Sequence, residues 1–156
     1  MQSEIERRFL VDPTRLPKLR EGTLQIQGYF NSKANEQPEV RVRVEGQKST
    51  LTLKTLVTNT TRREYEYEIP LKDAQTLLEI APHRLRKIRH HLKLNNQSWV
   101  IDFFQDNNAP LVLAEIELKS EDEVFEKPLW AREEVTDDLR YTAISLAFKP
   151  YGNWNS

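Results

Sequence analysis

Ionisable side chains recur along this chain at a spacing suited to chemistry: Glu4, Glu6 and Arg8; Arg41 and Arg43; Lys54; Glu64 and Glu66; Lys87 and Arg89; Asp102; Glu115 and Glu117. Residues two apart on a β-strand point to the same side. Each pair therefore aims like charges at one region of space, and such pairs repel unless an oppositely charged object lies between them. Carboxylates gathered this way recruit hard cations, and guanidinium and ammonium groups gathered this way grip anions. The spacing points to a charged interior that holds metal and an anion. Taken alone, EIER at 4–7 reads more readily as the wet face of an edge strand. Asp102 says more, because a lone carboxylate in the apolar run SWVIDFF must be paired or bind a metal.

The elements that position these groups are strands. EIERRFLV (4–11), TLQIQGYF (23–30), EVRVRVE (39–45), STLTLKTLV (49–57) and RREYEYEI (62–69) alternate with a period of two. LRKIRHHLKL (85–94), SWVIDFF (98–104) and LVLAEIELKS (111–120) continue the series. EGQK and Asn95-Asn96 are hairpin turns. LKDAQTLLEIA (71–81) carries Leu71, Ala74, Leu77, Leu78 and Ala81 on one stripe, which predicts a helix stopped by Pro82. After Glu121 the sequence predicts short helical pieces, with Thr136 as N-cap of a final helix that shares Leu139, Ala143, Leu146 and Ala147 on one face. The fold class expected is mainly β (α+β). It is an eight-stranded antiparallel closed β-barrel turned inside out, with ionised residues in the lumen and apolar residues outward beneath helices.

With 156 residues the chain is expected to form one domain, residues 1–156. Lys plus Arg (23) nearly cancels Asp plus Glu (24), which argues against a nucleic-acid binder. The absence of cysteine excludes disulfides, zinc–thiolate sites and thiol nucleophiles. No apolar run is long enough for a membrane span, and Met1 is followed by polar residues, so a cytoplasmic location is expected. His83, His90 and His91 show no ligand spacing. Trp99, Trp130 and Trp154 are expected in the core or as caps.

EIERRFLV, VRVRV, TLTLK, REYEYEI, RKIR, VIDFF, AEIEL and the terminal PLW…EEVTDDLRY, in that order, resemble the CYTH, or triphosphate tunnel metalloenzyme, family in its short stand-alone bacterial form. The resemblance covers essentially the whole chain and implies an eight-stranded tunnel that acts on a triphosphate with a divalent metal. By this similarity Glu4, Glu6, Asp102, Glu115 and Glu117 are expected to hold Mg²⁺ or Mn²⁺, as two ions. Arg8, Arg41, Arg43, Lys54, Lys87, Arg89 and Arg140 are expected to grip phosphate. Arg8, Lys87, Glu64 and Glu66 are expected to take part in the chemistry, the two glutamates through water.

The signature's final lysine is Arg8 here, which keeps its charge but cannot act as a base. Ala143 stands where relatives often carry Asn. The activity expected is hydrolysis of inorganic tripolyphosphate to pyrophosphate and phosphate by a metal-activated water. The alternatives are an adenylate cyclase making cyclic AMP from ATP and a non-catalytic polyphosphate or nucleotide binder. The partner expected is a small triphosphate, with no nucleic acid and no membrane; a homodimer is compatible with the sequence.

Overall fold

The computed structural model describes residues 1–155. Nine strands alternate with short turns: β1 (Gln2–Val11), β2 (Thr23–Tyr29), β3 (Glu39–Glu45), β4 (Lys48–Leu56), β5 (Thr61–Glu68), β6 (His83–Leu94), β7 (Gln97–Phe104), β8 (Val112–Leu118) and β9 (Ala131–Glu134). Helix α1 (Leu71–Ile80) follows β5, and α2 (Ala143–Phe148) follows β9. Around the ring the order is β5-β4-β3-β2-β6-β7-β8-β1, and β1 closes it by pairing with β5. Every pairing is antiparallel. The expected eight-stranded barrel is therefore present, with β9 as an added strand.

β1 carries the closure because its two halves have different neighbours. Gln2–Ile5 pair with β5, whereas Phe9 and Val11 pair with β9 across a shift in register. The whole stretch from Ile5 to Leu10 pairs with β8 on its other side. β9 was not expected from the sequence, because AREE has no apolar alternation. The turns follow their residues: Gly46 takes φ 61 in the β3–β4 hairpin, and Asn95 and Asn96 take φ 51 and 61 between β6 and β7.

Apolar side chains pack outside the barrel in two places. Phe9, Trp99, Ile101, Ala114, Ile116 and Trp130 form one outer cluster, with the Trp99 and Trp130 rings 5.1 Å apart, edge to face. Ala74 and Leu78 of α1 cover Val42, with Ile26, Val44 and Leu51 beside them. This helix lies so close to β2 that a Cβ on Gly28 would sit 2.7 Å from the Ala81 methyl. A third cluster fills one end of the lumen itself: Tyr29, Leu85, Phe104 and Leu113 point inward and are capped by Ile144 and Leu146 of α2. The barrel is thus inside out along its charged part and apolar at one end.

The final helix departs from expectation. Its N-cap is Thr142, whose hydroxyl accepts from the Ser145 amide. Thr136 is buried and does other work: its hydroxyl accepts from the Arg8 amide at 3.0 Å and donates to Glu134 at 2.6 Å. Two hydroxyls of equal capping capacity stand six residues apart, and only tertiary contact with β1 separates their roles. Among the described residues no helix is long and apolar enough to cross a membrane.

Candidate functional site

The lumen encloses a cavity of about 260 Å³. Its walls carry Glu4, Glu6 and Arg8 from β1, Arg41 and Arg43 from β3, Lys54 from β4, Arg62 and Glu64 from β5, Lys87 and Arg89 from β6, and Glu115 from β8. Strand alternation delivers all of these, since each is an inward position on its strand; the outward neighbours on β1, β3, β4 and β8 pack in the outer clusters, whereas β5 leaves Tyr65 and Tyr67 exposed. The cavity is also lined by Ala34, Asn35 and Gln37 of the β2–β3 loop, by Leu56, and by Leu139 and Thr142–Ser145. Asn31 folds that loop: it is buried, donates to the Pro38 carbonyl at 2.8 Å and accepts from the Val40 amide at 2.8 Å.

The deepest charges form a cation–acid–cation group. Asp102 is 2% exposed and accepts from Lys87 Nζ at 2.8 Å and from Arg89 Nε and Nη2, both at 2.8 Å. Against its burial, Arg89 and Lys87 hold the Asp102 carboxyl at about 2. Burial and the neighbouring Arg89 bring Lys87 down to about 7 in spite of Asp102. Burial, with Arg41 and Arg89 adding repulsion, also pulls Arg43 below the usual arginine range. Asp102 is thus paired, the first of the two fates open to a lone carboxylate in an apolar strand. With both oxygens engaged by cations, it stands apart from the other acids expected to bind metal.

Those other acids come as pairs. Glu6 and Glu115 lie within hydrogen-bonding reach of each other, and burial followed by the Glu115 charge pushes Glu6 up to about 8. Glu115 goes the other way: despite burial, Arg8 and the Glu6 proton hold it well below the usual carboxylate range. One proton is shared between two carboxylates, the behaviour of a dyad. Burial, and then the neighbouring Glu64, raise Glu4 in spite of Lys54. Glu4 Oε2 is a buried oxygen with no hydrogen-bond donor, and Arg41 Nε is a buried donor with no acceptor. The acid wall wants a cation and the basic wall an anion.

The described residues contain no ready group of three or more His, Cys, Asp or Glu around a metal position. The donor chemistry nevertheless fits a hard divalent cation, because the available atoms are carboxylate oxygens, one orphaned and one carrying a proton that a metal ion would replace.

Four expected site residues lie outside this cavity or its acid pairs. Glu117 faces the lumen directly across from Glu6 in the β1–β8 register, but it is exposed at the rim. Glu66 is exposed, since β5 carries it out of the enclosed part of the lumen. Arg140 is turned outward, where Asp138 accepts from its Nη2 at 2.7 Å and Trp154 lies 4.5 Å beneath its guanidinium. Asp102 sits beneath the wall as described. Arg62 is the residue missed. It is buried, and its Nη1 donates to Glu6 Oε1 at 3.3 Å. The same two-residue period that singled out Glu64 and Glu66 puts Arg62, the first residue of the expected strand, on their face.

A model of the CYTH domain matches residues 2–151. An inorganic triphosphatase of Acetivibrio thermocellus is 40% identical over 156 residues, 99% of each chain. One from Nitrosomonas europaea is 36% identical over 149 residues, 93% of this chain and 97% of its own. A crystal structure of an inorganic triphosphatase superposes with a TM-score of 0.69 at 34% identity, covering 94% of this chain and 95% of the other.

Proposed function

Because the chain belongs to the CYTH domain family, we propose that its tunnel hydrolyses inorganic tripolyphosphate to pyrophosphate and phosphate. The observation that carries this reading is the sorting of buried charge into an acid group around Glu6 and Glu115 and a basic group around Lys87, Arg89 and Arg43. A linear polyanion with bound cations satisfies both at once. The triphosphatase names of relatives spanning nearly the whole chain support the same substrate class.

In this reading Glu4, Glu6 and Glu115 hold the divalent cation, Mg²⁺ or Mn²⁺, and Glu117 is the carboxylate left for a second ion. When bound, such an ion supplies charge neutralisation at phosphate oxygens and acidifies a water. Arg41 and Arg43 grip the phosphate chain from β3 and Lys54 from β4. Arg8 does the same beside Glu115, to which its Nη2 comes within 3.9 Å. A guanidinium holds phosphate bidentately and stays charged, so Arg8 binds and orients without exchanging a proton.

Lys87 has the other role. With its ordinary value brought to about 7, its Nζ can carry or release a proton at neutral pH, which suits it to protonate the departing pyrophosphate oxygen. Asp102 fixes the orientation of Lys87 and Arg89, and is assigned here as their organiser rather than as a metal ligand. Water is excluded from the deep end by the apolar plug of Tyr29, Leu85, Phe104 and Leu113.

Phosphate release is measured from tripolyphosphate, ATP, GTP and thiamine triphosphate, each with Mg²⁺ and with Mn²⁺. Tripolyphosphate is expected to be turned over fastest. Intact tripolyphosphate alongside conversion of ATP to cyclic AMP would overturn the assignment in favour of a cyclase. Tight binding of tripolyphosphate with no product would mark a binder.

A further inference from the structure

We infer that Arg62 is a substrate-binding residue that alternates between two partners: it holds Glu6 in the metal-free protein and moves to a phosphate oxygen in the cavity when metal and substrate are bound. The inference rests on the triphosphatase reading and adds a residue to it.

Three observations support it. Arg62 is 7% exposed, yet Glu6 Oε1 at 3.3 Å is its closest acid, and that oxygen is also approached by Arg8 Nη2 at 4.0 Å. A guanidinium has five donors in a fixed fork, and a single 3.3 Å contact leaves most of the fork facing the cavity that Arg62 lines. Arg62 also lies directly across from Leu56 in the β4–β5 register and from Glu4 in the β1–β5 register, and both of those residues line the cavity, so the two flanking strands hold it at the cavity wall.

The consequence follows from charge alone. A divalent cation taken by Glu6 and the Arg62 guanidinium repel each other, so metal binding releases Arg62. A buried guanidinium released from Glu6 needs another acceptor, since an unpaired buried charge is strongly disfavoured. With Glu4, Glu6 and Glu115 engaged by the ion, the acceptor left on this wall is a non-bridging phosphate oxygen. Arg62 thus competes with metal when substrate is absent and holds substrate when metal is present. This makes binding of the two mutually dependent.

Mn²⁺ affinity of the intact protein is measured by electron paramagnetic resonance without phosphate, and tripolyphosphate affinity is measured by calorimetry with Mn²⁺ present. Wild type is compared with Arg62→Gln and Arg62→Lys. For Arg62→Gln, Mn²⁺ alone is expected to bind roughly fivefold more tightly, about the worth of the one hydrogen bond that the ion no longer has to displace. Tripolyphosphate is expected to bind roughly tenfold more weakly, with KM rising more than kcat falls. Arg62→Lys keeps the charge but loses the fork, so it should leave Mn²⁺ affinity near wild type and weaken tripolyphosphate less than the glutamine does. It also serves if the glutamine variant fails to fold. Weaker Mn²⁺ binding in Arg62→Gln, or tripolyphosphate affinity unchanged in both variants, would overturn the inference. Wild type that binds tripolyphosphate without turnover would refute the triphosphatase reading instead, while the two affinities still decide the role of Arg62.

Discussion

Replacing Asp102 with Asn tests the deepest part of the site with almost no change in volume. The carboxylate holds two cations at 2.8 Å, and the Lys87 and Asp102 side chains are 3% and 2% exposed. Leaving buried charge without its partner costs about 3–5 kcal/mol. Lys87 moderates that cost, because at about 7 it can shed its proton near neutral pH. Arg89 cannot, and its side chain is 16% exposed, so the lower end of the range applies, about 3 kcal/mol. At roughly 2.1 cal/mol/K per residue, unfolding of a chain this long carries an entropy of about 330 cal/mol/K, and the loss lowers Tm by about 9 °C.

The pH dependence is specific. A lysine whose folded value lies below its unfolded 10.5 loses stability as pH falls through the folded value, about 7 in wild type. Without Asp102 the folded value drops further, so the deficit of the variant widens below pH 7 and narrows above it. Thermal unfolding followed by circular dichroism across that interval, without metal, measures both effects. Added tripolyphosphate should raise the Tm of the variant more than that of wild type, since the anion replaces the lost charge. A variant as stable as wild type at pH 7, or a deficit independent of pH, would show that Asp102 does not organise the two cations.

The dyad gives a prediction of opposite sign. Glu6 is raised from 4.5 to about 8, so the metal-free protein should lose stability as pH climbs between those values, and Glu6→Gln should flatten that slope in the same melts. Glu115→Gln should abolish metal-dependent phosphate release while leaving the unfolding transition at pH 8 unchanged or higher, because carboxylate repulsion is relieved. Arg8→Lys should preserve or raise turnover of tripolyphosphate; a collapse would assign Arg8 a role that charge and hydrogen bonding do not cover. Thr136→Ala removes the buried acceptor of the Arg8 amide and should cost about 1–2 kcal/mol in urea unfolding.

The charged wall was legible in the sequence because inward strand positions recur every two residues, whatever the strand does elsewhere. Glu4, Glu6, Arg8, Arg41, Arg43, Lys54, Glu64, Lys87, Arg89 and Glu115 all meet at the cavity for that reason. The apolar end was only half legible: Leu85, Phe104 and Leu113 share the two-residue period of Lys87, Asp102 and Glu115, but that they close the lumen is seen only with α2 seated on them. Asp102 announced that it needed a partner but not which, since Lys87 and Arg89 come from the neighbouring strand. β9 gave no signal, because its four residues are fixed by the free edge of β1 rather than by their own pattern. Arg62 could have been found by extending the Glu64 face one step back, to the first residue of the expected strand. Arg140 carried a phosphate-binding expectation that no periodicity supported, and Asp138 and Trp154 hold it outside.

The seam made by β1 has a consequence for biosynthesis. Ile5–Leu10 leave the ribosome first yet must wait for Val112–Leu118 before their hydrogen bonds are complete, and the N-terminal half waits for Thr61–Glu68. A ring stitched across such a sequence distance forms late, so the nascent chain displays a bare strand edge throughout most of its synthesis. Truncations that end before Val112 should accumulate as aggregates, whereas a chain that includes Val112–Leu118 seals the β1 edge.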